Sequence, residues 1–270
     1  MFTTLIPAAE LAAALAADAR GWRILDCRTR LDDPEFGARA YAEGHIPGAV
    51  YANIDLDFAA PPGAGGRHPL PEPDALAARL RGWGIDDSDQ IVVYDDMGGP
   101  FAARAWWCIR WLGHAAVAVL DGGLKAWQAD LTRAVPTSAP GNFSLRPSLT
   151  RTIDAAELRR RLGAVDLIDA RARPRFEGRE EPIDPVAGHI PGAVCLPFQE
   201  NLAPDGRFRS PAELAARFAG HGADTISYCG SGVTAAHNIL AMRIAGLPEP
   251  VLYPGSWSEW IRDPSRPRAP

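Results

Sequence analysis

The sequence has few cysteines, almost no lysine and no long apolar run. Its four cysteines form no CxxC pair and are too few for a disulfide framework in 270 residues. The 28 basic residues are nearly all arginines and are scattered, which argues against a nucleic-acid or membrane-surface binder. No apolar segment approaches the ~18 to 20 residues of a membrane helix. We therefore expect no nucleic-acid or membrane partner and, by default, a cytoplasmic location.

The N-terminal 21 residues are rich in alanine and leucine but do not read as a signal peptide. No basic segment precedes the apolar stretch, and Glu10 and Asp18 interrupt it. We expect a first helix there. The chain is 47% apolar and 23% charged, with a net charge of −5, so it has the composition of a globular protein and the length for two domains.

An internal repeat organises the chain. ILDCRTR (24–30), GHIPGAV (44–50), IVVYDDMGG (91–99) and LDGGLKAW (120–127) are matched by LIDARAR (167–173), GHIPGAV (188–194), ISYCGSGVT (226–234) and LYPGSWSEW (252–260). The stretch between the halves is rich in Pro, Ser and Gly and has no periodicity, as expected of a linker. We predict domains at 1–136 and 152–270, joined by a linker at 137–151.

Each half alternates short apolar segments with longer amphipathic ones. WRILD, QIVVYD and AVAVLD are typical of buried strands, whereas PDALAARLRGWG and SPAELAARFAGHG have helical spacing and end at glycine. Ser210 and Pro211 form an N-cap and first-turn signature. This alternation predicts an α/β fold in each half, an open parallel sheet with helices on both faces.

Cys229 lies where such sheets bind ligands, at the turn from the strand TISY into the helix AAHNILAMRIAG. Glycines at 230 and 232 allow the backbone amides to turn toward the sulfur, and a helix N-terminus favours a thiolate and any anion built on it. We predict that Cys229 is a nucleophile and that the other three cysteines are buried structural thiols. A phosphatase needs an arginine six positions after its cysteine, where this chain has Ala235, so phosphoryl chemistry is disfavoured.

The paired GHIPGAV motifs, DGGLKAW and the CGSGVT loop resemble the tandem rhodanese-type sulfurtransferases over essentially the whole chain. The resemblance implies two rhodanese-like domains, of which the first is catalytically inactive because Asp95 occupies the nucleophile position. CGSGVT resembles the 3-mercaptopyruvate branch, whereas thiosulfate enzymes carry basic residues directly after the cysteine. Gly230 and Ser231 replace that basic pair, which disfavours a dianionic donor.

The resemblance also implies the remaining site residues. Ser231, His68 and Asp55 match a proton relay in which Asp55 orients His68. Arg175 matches a residue that binds the substrate carboxylate. A second family arginine is replaced by Ile183 and Asp184, so that contact is absent or supplied by Arg179. The amides of Gly230, Gly232, Val233 and Thr234 complete the predicted anion site. Each of these residues also has a purely structural alternative. Asp55 would cap a turn, His68 would lie on a solvated loop, and Ser231 would be a small turn residue. The arginines would form surface ion pairs.

We therefore expect a sulfurtransferase that moves sulfur from 3-mercaptopyruvate through a Cys229 persulfide to cyanide or to a thiol such as thioredoxin. No metal-ligand spacing and no dinucleotide motif is present, so no cofactor is expected. Two alternatives stay open. One is a thiosulfate:cyanide enzyme of the same fold, and the other is a sulfur carrier or interaction module without catalysis.

Overall fold

The computed structural model describes residues 1–270, and the chain forms two compact units. The first unit comprises Met1–Ala59, Pro71–Leu149 and Pro204–Phe208. The second comprises Ala60–Leu70, Thr150–Ala203 and Arg209–Pro270. The units therefore follow the two halves of the repeat except for two short segments. Of these, Ala60–Leu70 comes from the first half of the sequence and belongs to the second unit.

The first unit is built on a five-stranded parallel sheet. Its strands are β1 (Leu5–Ile6), β2 (Trp22–Asp26), β3 (Ala49–Tyr51), β4 (Gln90–Tyr94) and β5 (Val117–Leu120), in the order β1-β5-β4-β2-β3. Its helices are α1 (Ala8–Ala17), α2 (Phe36–Glu43), α3 (Ile54–Asp57), α4 (Pro73–Gly82), α5 (Pro100–Trp111) and α6 (Gly123–Ala126). Ile24, Val92 and Ala118 of the central strands lie in its apolar core.

The second unit repeats this plan with four parallel strands. They are β6 (Leu167–Asp169), β7 (Ala193–Cys195), β8 (Ile226–Tyr228) and β9 (Val251–Leu252), in the order β7-β6-β8-β9. Its helices are α7 (Ala155–Arg161), α8 (Arg173–Phe176), α9 (Pro211–Arg217), α10 (Val233–Ile244) and α11 (Ser256–Trp260), with a 3-10 turn at Phe198–Asn201. Leu167, Ile226 and Val251 lie in its apolar core.

The repeated motifs make the same contacts in both units. Asp26 and Asp169 end equivalent strands, and each pairs with the arginine two residues later, at 2.6 and 2.7 Å. Each arginine donates to the carbonyl of the glycine that opens the GHIPGAV turn, at 2.8 Å. The histidine of each turn packs on an aromatic ring and donates from Nδ1 to a backbone carbonyl at 2.8 Å. Both turns therefore have a structural function.

The elements agree with the sequence predictions except at the N-terminus. Ser210 caps α9, with Glu213 completing a capping box. The predicted single helix at the N-terminus is wrong in its first residues, because Leu5–Ile6 forms a strand that pairs with β5. The helix begins only after Pro7, which has no backbone N–H to continue the hydrogen bonds of the strand. No helix has both the length and the apolar composition needed to cross a bilayer.

The predicted linker contains no helix or strand, and it lies along the first unit. Phe143 is buried there, and the backbone amides of Gly141 and Phe143 donate to the carbonyls of Arg81 and Ile85. The linker is thus held by backbone hydrogen bonds and by one buried aromatic side chain.

Candidate active site

Cys229 lies directly after β8, in the turn that leads into α10. Gly232 adopts the left-handed conformation at φ 79° and caps the helix, which turns its N–H back toward the sulfur. That N–H donates to Sγ of Cys229 at 3.1 Å. The N–H groups of Val233 and Thr234 follow in the first turn, where an α-helix has no acceptor for them. Cys229 is 2% exposed, and its sulfur therefore faces the positive end of a 12-residue helix.

The first residues of α11 hold this turn in place through hydrogen bonds. Ser256 is fully buried and has a positive φ of 53°, which is rare for a residue other than glycine. Its hydroxyl accepts from the N–H of Cys229 at 3.1 Å and donates to the carbonyl of Tyr253 at 2.9 Å. The N–H groups of Trp257 and Ser258 donate to the carbonyls of Cys229 and Gly230, at 3.0 and 2.9 Å. The stretch from Tyr253 to Ser258 thus holds the cysteine turn in place.

A serine and a histidine pair beside the cysteine turn. Ser231 is 6% exposed, and its Oγ lies 2.7 Å from Nδ1 of His68, whose segment belongs to the second unit. This distance is that of a strong hydrogen bond. Asp55 belongs to the first unit and lies in α3, where its N–H donates to the capping side chain of Asn53 at 2.9 Å. Its predicted function in orienting His68 stays a prediction.

Two arginines converge on Gly230. A Cβ placed on this glycine would lie 2.7 Å from Nη2 of Arg67 and 3.6 Å from both Nη atoms of Arg175. Arg175 donates from Nε and Nη2 to Glu181 and from Nη2 to Asp184, at 2.7 to 3.1 Å. Arg67 donates from Nη1 to the other oxygen of Asp184. The position next to Cys229 therefore lies under two guanidinium groups.

Arg179, the other arginine that the sequence proposed for substrate, lies elsewhere. Its side chain is 62% exposed and pairs with Glu177. The cation that accompanies Arg175 over Gly230 is instead Arg67.

The three other cysteines lack such surroundings. Burial raises the pKa of the Cys27 and Cys108 thiols, and it raises the pKa of Cys195 to about 11. All three are 6% exposed or less. They are protonated at neutral pH and have the properties expected of structural thiols.

The equivalent turn of the first unit contains an acid in place of the nucleophile. Asp95 follows β4 as Cys229 follows β8, and its fully buried carboxylate accepts four backbone N–H bonds. Oδ1 accepts from Met97 and Gly99 at 2.9 and 2.8 Å, and Oδ2 from Phe101 and Ala102 at 2.9 and 3.0 Å. The cradle of amides at this turn therefore already contains an acidic side chain.

Sequence reasoning missed Arg67, Ser256 and Ser258. Arg67 directly precedes His68 in the sequence, but its contacts with Ser258 and Asp184 lie far away along the chain. The two serines carry no local signal, because their importance depends on contacts with residues far away in the sequence. No group of three or more His, Cys, Asp and Glu side chains is placed to hold a metal ion.

Comparison with known proteins agrees with this architecture. A family model described as the rhodanese-like domain matches residues 7–130 and again residues 154–263. The chain therefore belongs to the rhodanese-like family and carries two copies of its domain, which confirms the resemblance found in the repeated motifs.

The relatives narrow this class to the sulfurtransferases. A Pseudomonas aeruginosa protein named probable 3-mercaptopyruvate sulfurtransferase is 51% identical, and the match covers 98% of this chain and 97% of that protein. A Mycobacterium tuberculosis protein named putative thiosulfate sulfurtransferase is 42% identical, with 97% and 95% covered. The solved structure of 3-mercaptopyruvate sulfurtransferase from Leishmania major has a TM-score of 0.85 at 29% identity and covers 97% of this chain and 76% of that chain.

Proposed function

We propose that the protein is a sulfurtransferase that takes sulfur from 3-mercaptopyruvate and passes it on through a persulfide on Cys229. The observation that carries the proposal is the arrangement at the turn. Sγ faces the start of α10, and Ser231 pairs with His68 at 2.7 Å beside it. The 51% identity to a probable 3-mercaptopyruvate sulfurtransferase supports the same donor.

In the first step the Cys229 thiolate attacks the thiol sulfur of the donor. A sulfur–sulfur bond forms, the carbon–sulfur bond breaks, and its electron pair goes to the carbon. That carbon takes the proton the thiol loses, so the products are pyruvate and the ionised persulfide. A second nucleophile, cyanide or a thiolate, then attacks the outer sulfur and regenerates the Cys229 thiolate.

The Ser231 and His68 pair is suited to move that proton. A histidine accepts and releases protons near neutral pH. Ser231 follows Cys229 by two positions in the sequence. We propose that these two residues deliver the thiol proton to the pyruvate carbon and that Asp55 orients His68. We also propose Arg175 as a contact for the donor carboxylate, since its Nη1 has no acceptor in the protein.

Asp95 supports an anion site for the persulfide in the second unit. The outer sulfur of a cysteine persulfide is as many bonds from the backbone as the carboxylate oxygens of an aspartate. Four amides bind those oxygens at Asp95. We therefore propose that the amides of Gly230 to Thr234 bind the persulfide in the same way, and that the first domain is catalytically inactive because Asp95 occupies its cradle.

The acceptor and the location are proposals of the same kind. A persulfide is reduced by a thiol, so a protein dithiol such as thioredoxin is a suitable physiological acceptor. A cytoplasmic location, where such thiols are reduced, stays a prediction from the sequence.

Intact-mass spectrometry after brief exposure to 3-mercaptopyruvate or to thiosulfate tests the proposal. We expect one added sulfur from 3-mercaptopyruvate, none in Cys229→Ser, and an unchanged gain in the matched control Cys195→Ala. Full activity in Cys229→Ser would refute the mechanism. Sulfur loading from thiosulfate alone would identify thiosulfate as the donor, as in the name of the Mycobacterium tuberculosis relative. Loading from neither donor would favour a sulfur carrier or interaction module without catalysis.

A further inference from the structure

Ser258 connects two segments that are far apart in the sequence and meet beside the nucleophile. Its Oγ accepts from the N–H of Arg67, the residue before His68, at 3.1 Å. Its backbone N–H donates to the carbonyl of Gly230, the residue before Ser231, at 2.9 Å. We propose that Ser258 is a positioning residue, which holds His68 in place for the proton transfer that it performs with Ser231. This inference rests on the proposed function, since that proton transfer is a step of the proposed mechanism.

These contacts close a ring of hydrogen bonds around the proton relay of Ser231 and His68. On one side, the hydroxyl of Ser258 binds the N–H of Arg67, and His68 is the next residue in the chain. Nδ1 of His68 lies 2.7 Å from Oγ of Ser231. On the other side, Ser231 follows Gly230, whose carbonyl accepts from the N–H of Ser258. Removal of the Ser258 hydroxyl therefore opens the ring on the side of the histidine and leaves the Gly230 contact intact.

The loop that carries the histidine is braced by hydrogen bonds of its own. Gly63 and Gly66 exchange two backbone hydrogen bonds, both at 3.0 Å. The N–H of Ala60 donates to the carbonyl of Pro69, also at 3.0 Å, and joins the two ends of the loop. A loop closed in this way shifts as a unit, so the position of the histidine depends on where the loop is attached. The hydroxyl of Ser258 attaches it one residue away from the histidine.

The surroundings of this hydroxyl leave it little room to move. Oγ of Ser258 donates to the carbonyl of Gly255 at 3.2 Å while it accepts from Arg67. Gly66 lies directly against it, because a Cβ there would come within 2.7 Å of Oγ and 2.9 Å of the Gly255 carbonyl oxygen. Gly66 also has a φ of +101°, which residues with a side chain rarely adopt. Ser258 is 5% exposed, so little solvent reaches these bonds.

The position of His68 is more important for proton transfer than for the reactivity of the sulfur. A general acid or base acts only within hydrogen-bond reach of its partner, which the 2.7 Å between Nδ1 and Oγ provides. The cysteine turn has separate support from the hydroxyl of Ser256 and from the backbone N–H of Ser258, which a change of the Ser258 side chain leaves in place. Loss of the Ser258 hydroxyl should therefore slow the proton-dependent step and spare the turn.

Single-turnover sulfur loading from saturating 3-mercaptopyruvate, with Ser258→Ala in two backgrounds, tests the inference. In the otherwise unmodified protein we expect the rate to fall about 10-fold, as for the loss of one hydrogen bond. In Ser231→Ala, which lacks the relay, the same substitution should change the rate less than about twofold, because two residues that act through one interaction are not additive. Ser265→Ala removes an exposed hydroxyl that donates to Asp263, and as the matched control it should keep the rate within about twofold.

Two measurements that need no sulfur donor separate positioning from general loosening. Hydrogen–deuterium exchange of peptides that cover residues 60–70 should be about 10-fold faster in Ser258→Ala, because the N–H of Arg67 loses its acceptor. Labelling of Cys229 by iodoacetamide should stay within about twofold of the unmodified protein, because it needs the thiolate and not the relay.

Three results would overturn the inference. They are an unchanged loading rate in Ser258→Ala, an equal loss in both backgrounds, and a loss of Cys229 labelling that matches the loss of loading. The last two would indicate a purely structural function for the hydroxyl. If the unmodified protein takes no sulfur from 3-mercaptopyruvate, the proposed function itself fails, and the measurement on the unmodified protein alone reveals it.

Discussion

Asp95→Asn should loosen the turn between β4 and α5. Each carboxylate oxygen accepts two N–H bonds at 2.8 to 3.0 Å, and the residue is fully buried. The amide nitrogen of asparagine is a donor, so in place of either oxygen it accepts from neither of the two N–H groups that the oxygen binds. Burial raises the pKa of Asp95, and the four N–H bonds oppose that rise.

The expected loss follows from counting these bonds. A buried donor left without an acceptor costs about 1 to 3 kcal/mol, so the loss of two hydrogen bonds destabilises the turn by about 2 to 6 kcal/mol. A loss of 3 kcal/mol makes local opening about 100-fold more frequent. Hydrogen–deuterium exchange, measured by mass spectrometry on peptides that cover residues 97–111, reports this directly.

Asp96→Asn is the matched control. Asp96 is the next residue, but its partner is Arg30 at 2.8 Å, in a pair with side chains 27% and 19% exposed. Such pairs contribute about 0 to 1 kcal/mol, so exchange should rise less than about fivefold. If Asp95→Asn exchanges at the rate of this control, the Asp95 side chain does not hold the turn, and the proposed reason for inactivity of the first domain loses its support.

Two further predictions concern the second unit. Ser231→Ala should lower the rate of sulfur loading from 3-mercaptopyruvate about 100-fold, because in the proposed mechanism Ser231 and His68 supply the proton that the leaving carbon needs. Loading from thiosulfate, whose sulfite leaving group needs none, should fall less than about threefold, and equal losses in stopped assays would argue against the relay. Iodoacetamide at pH 7.5 should label Cys229 first and leave Cys195 unmodified in the folded protein, because burial raises the pKa of Cys195 to about 11 and keeps it protonated. Rapid labelling of Cys195 in peptide maps would contradict this.

Local pattern predicted most of the fold. Strands such as Trp22–Asp26 and helices such as Pro211–Arg217 depend on short-range periodicity and capping, which can be read within a dozen residues. The strand Leu5–Ile6 was missed because it exists only through pairing with Val119 and Leu120, more than a hundred positions away. A two-residue strand has no periodicity of its own.

The candidate site likewise contains residues that the local sequence predicts and residues that it does not. Cys229 could be predicted because a strand, two glycines and a helix surround it in the sequence. Arg67 could not, because its hydrogen bond to Ser258 spans 191 positions and its partner Asp184 lies 117 positions away. Such contacts become visible only when the chain is folded, and the family pattern pointed to positions 183 and 184 instead.

The segment Ala60–Leu70 limits how the chain can be divided into separate domains. It is encoded in the first copy of the repeat, yet it folds with the second unit and brings Arg67 and His68 to the nucleophile's own unit. A gene cut at the linker would leave the cysteine in one fragment and these two residues in the other. The second folded unit therefore includes a segment from the first copy of the repeat, so a cut at the linker does not separate two complete units.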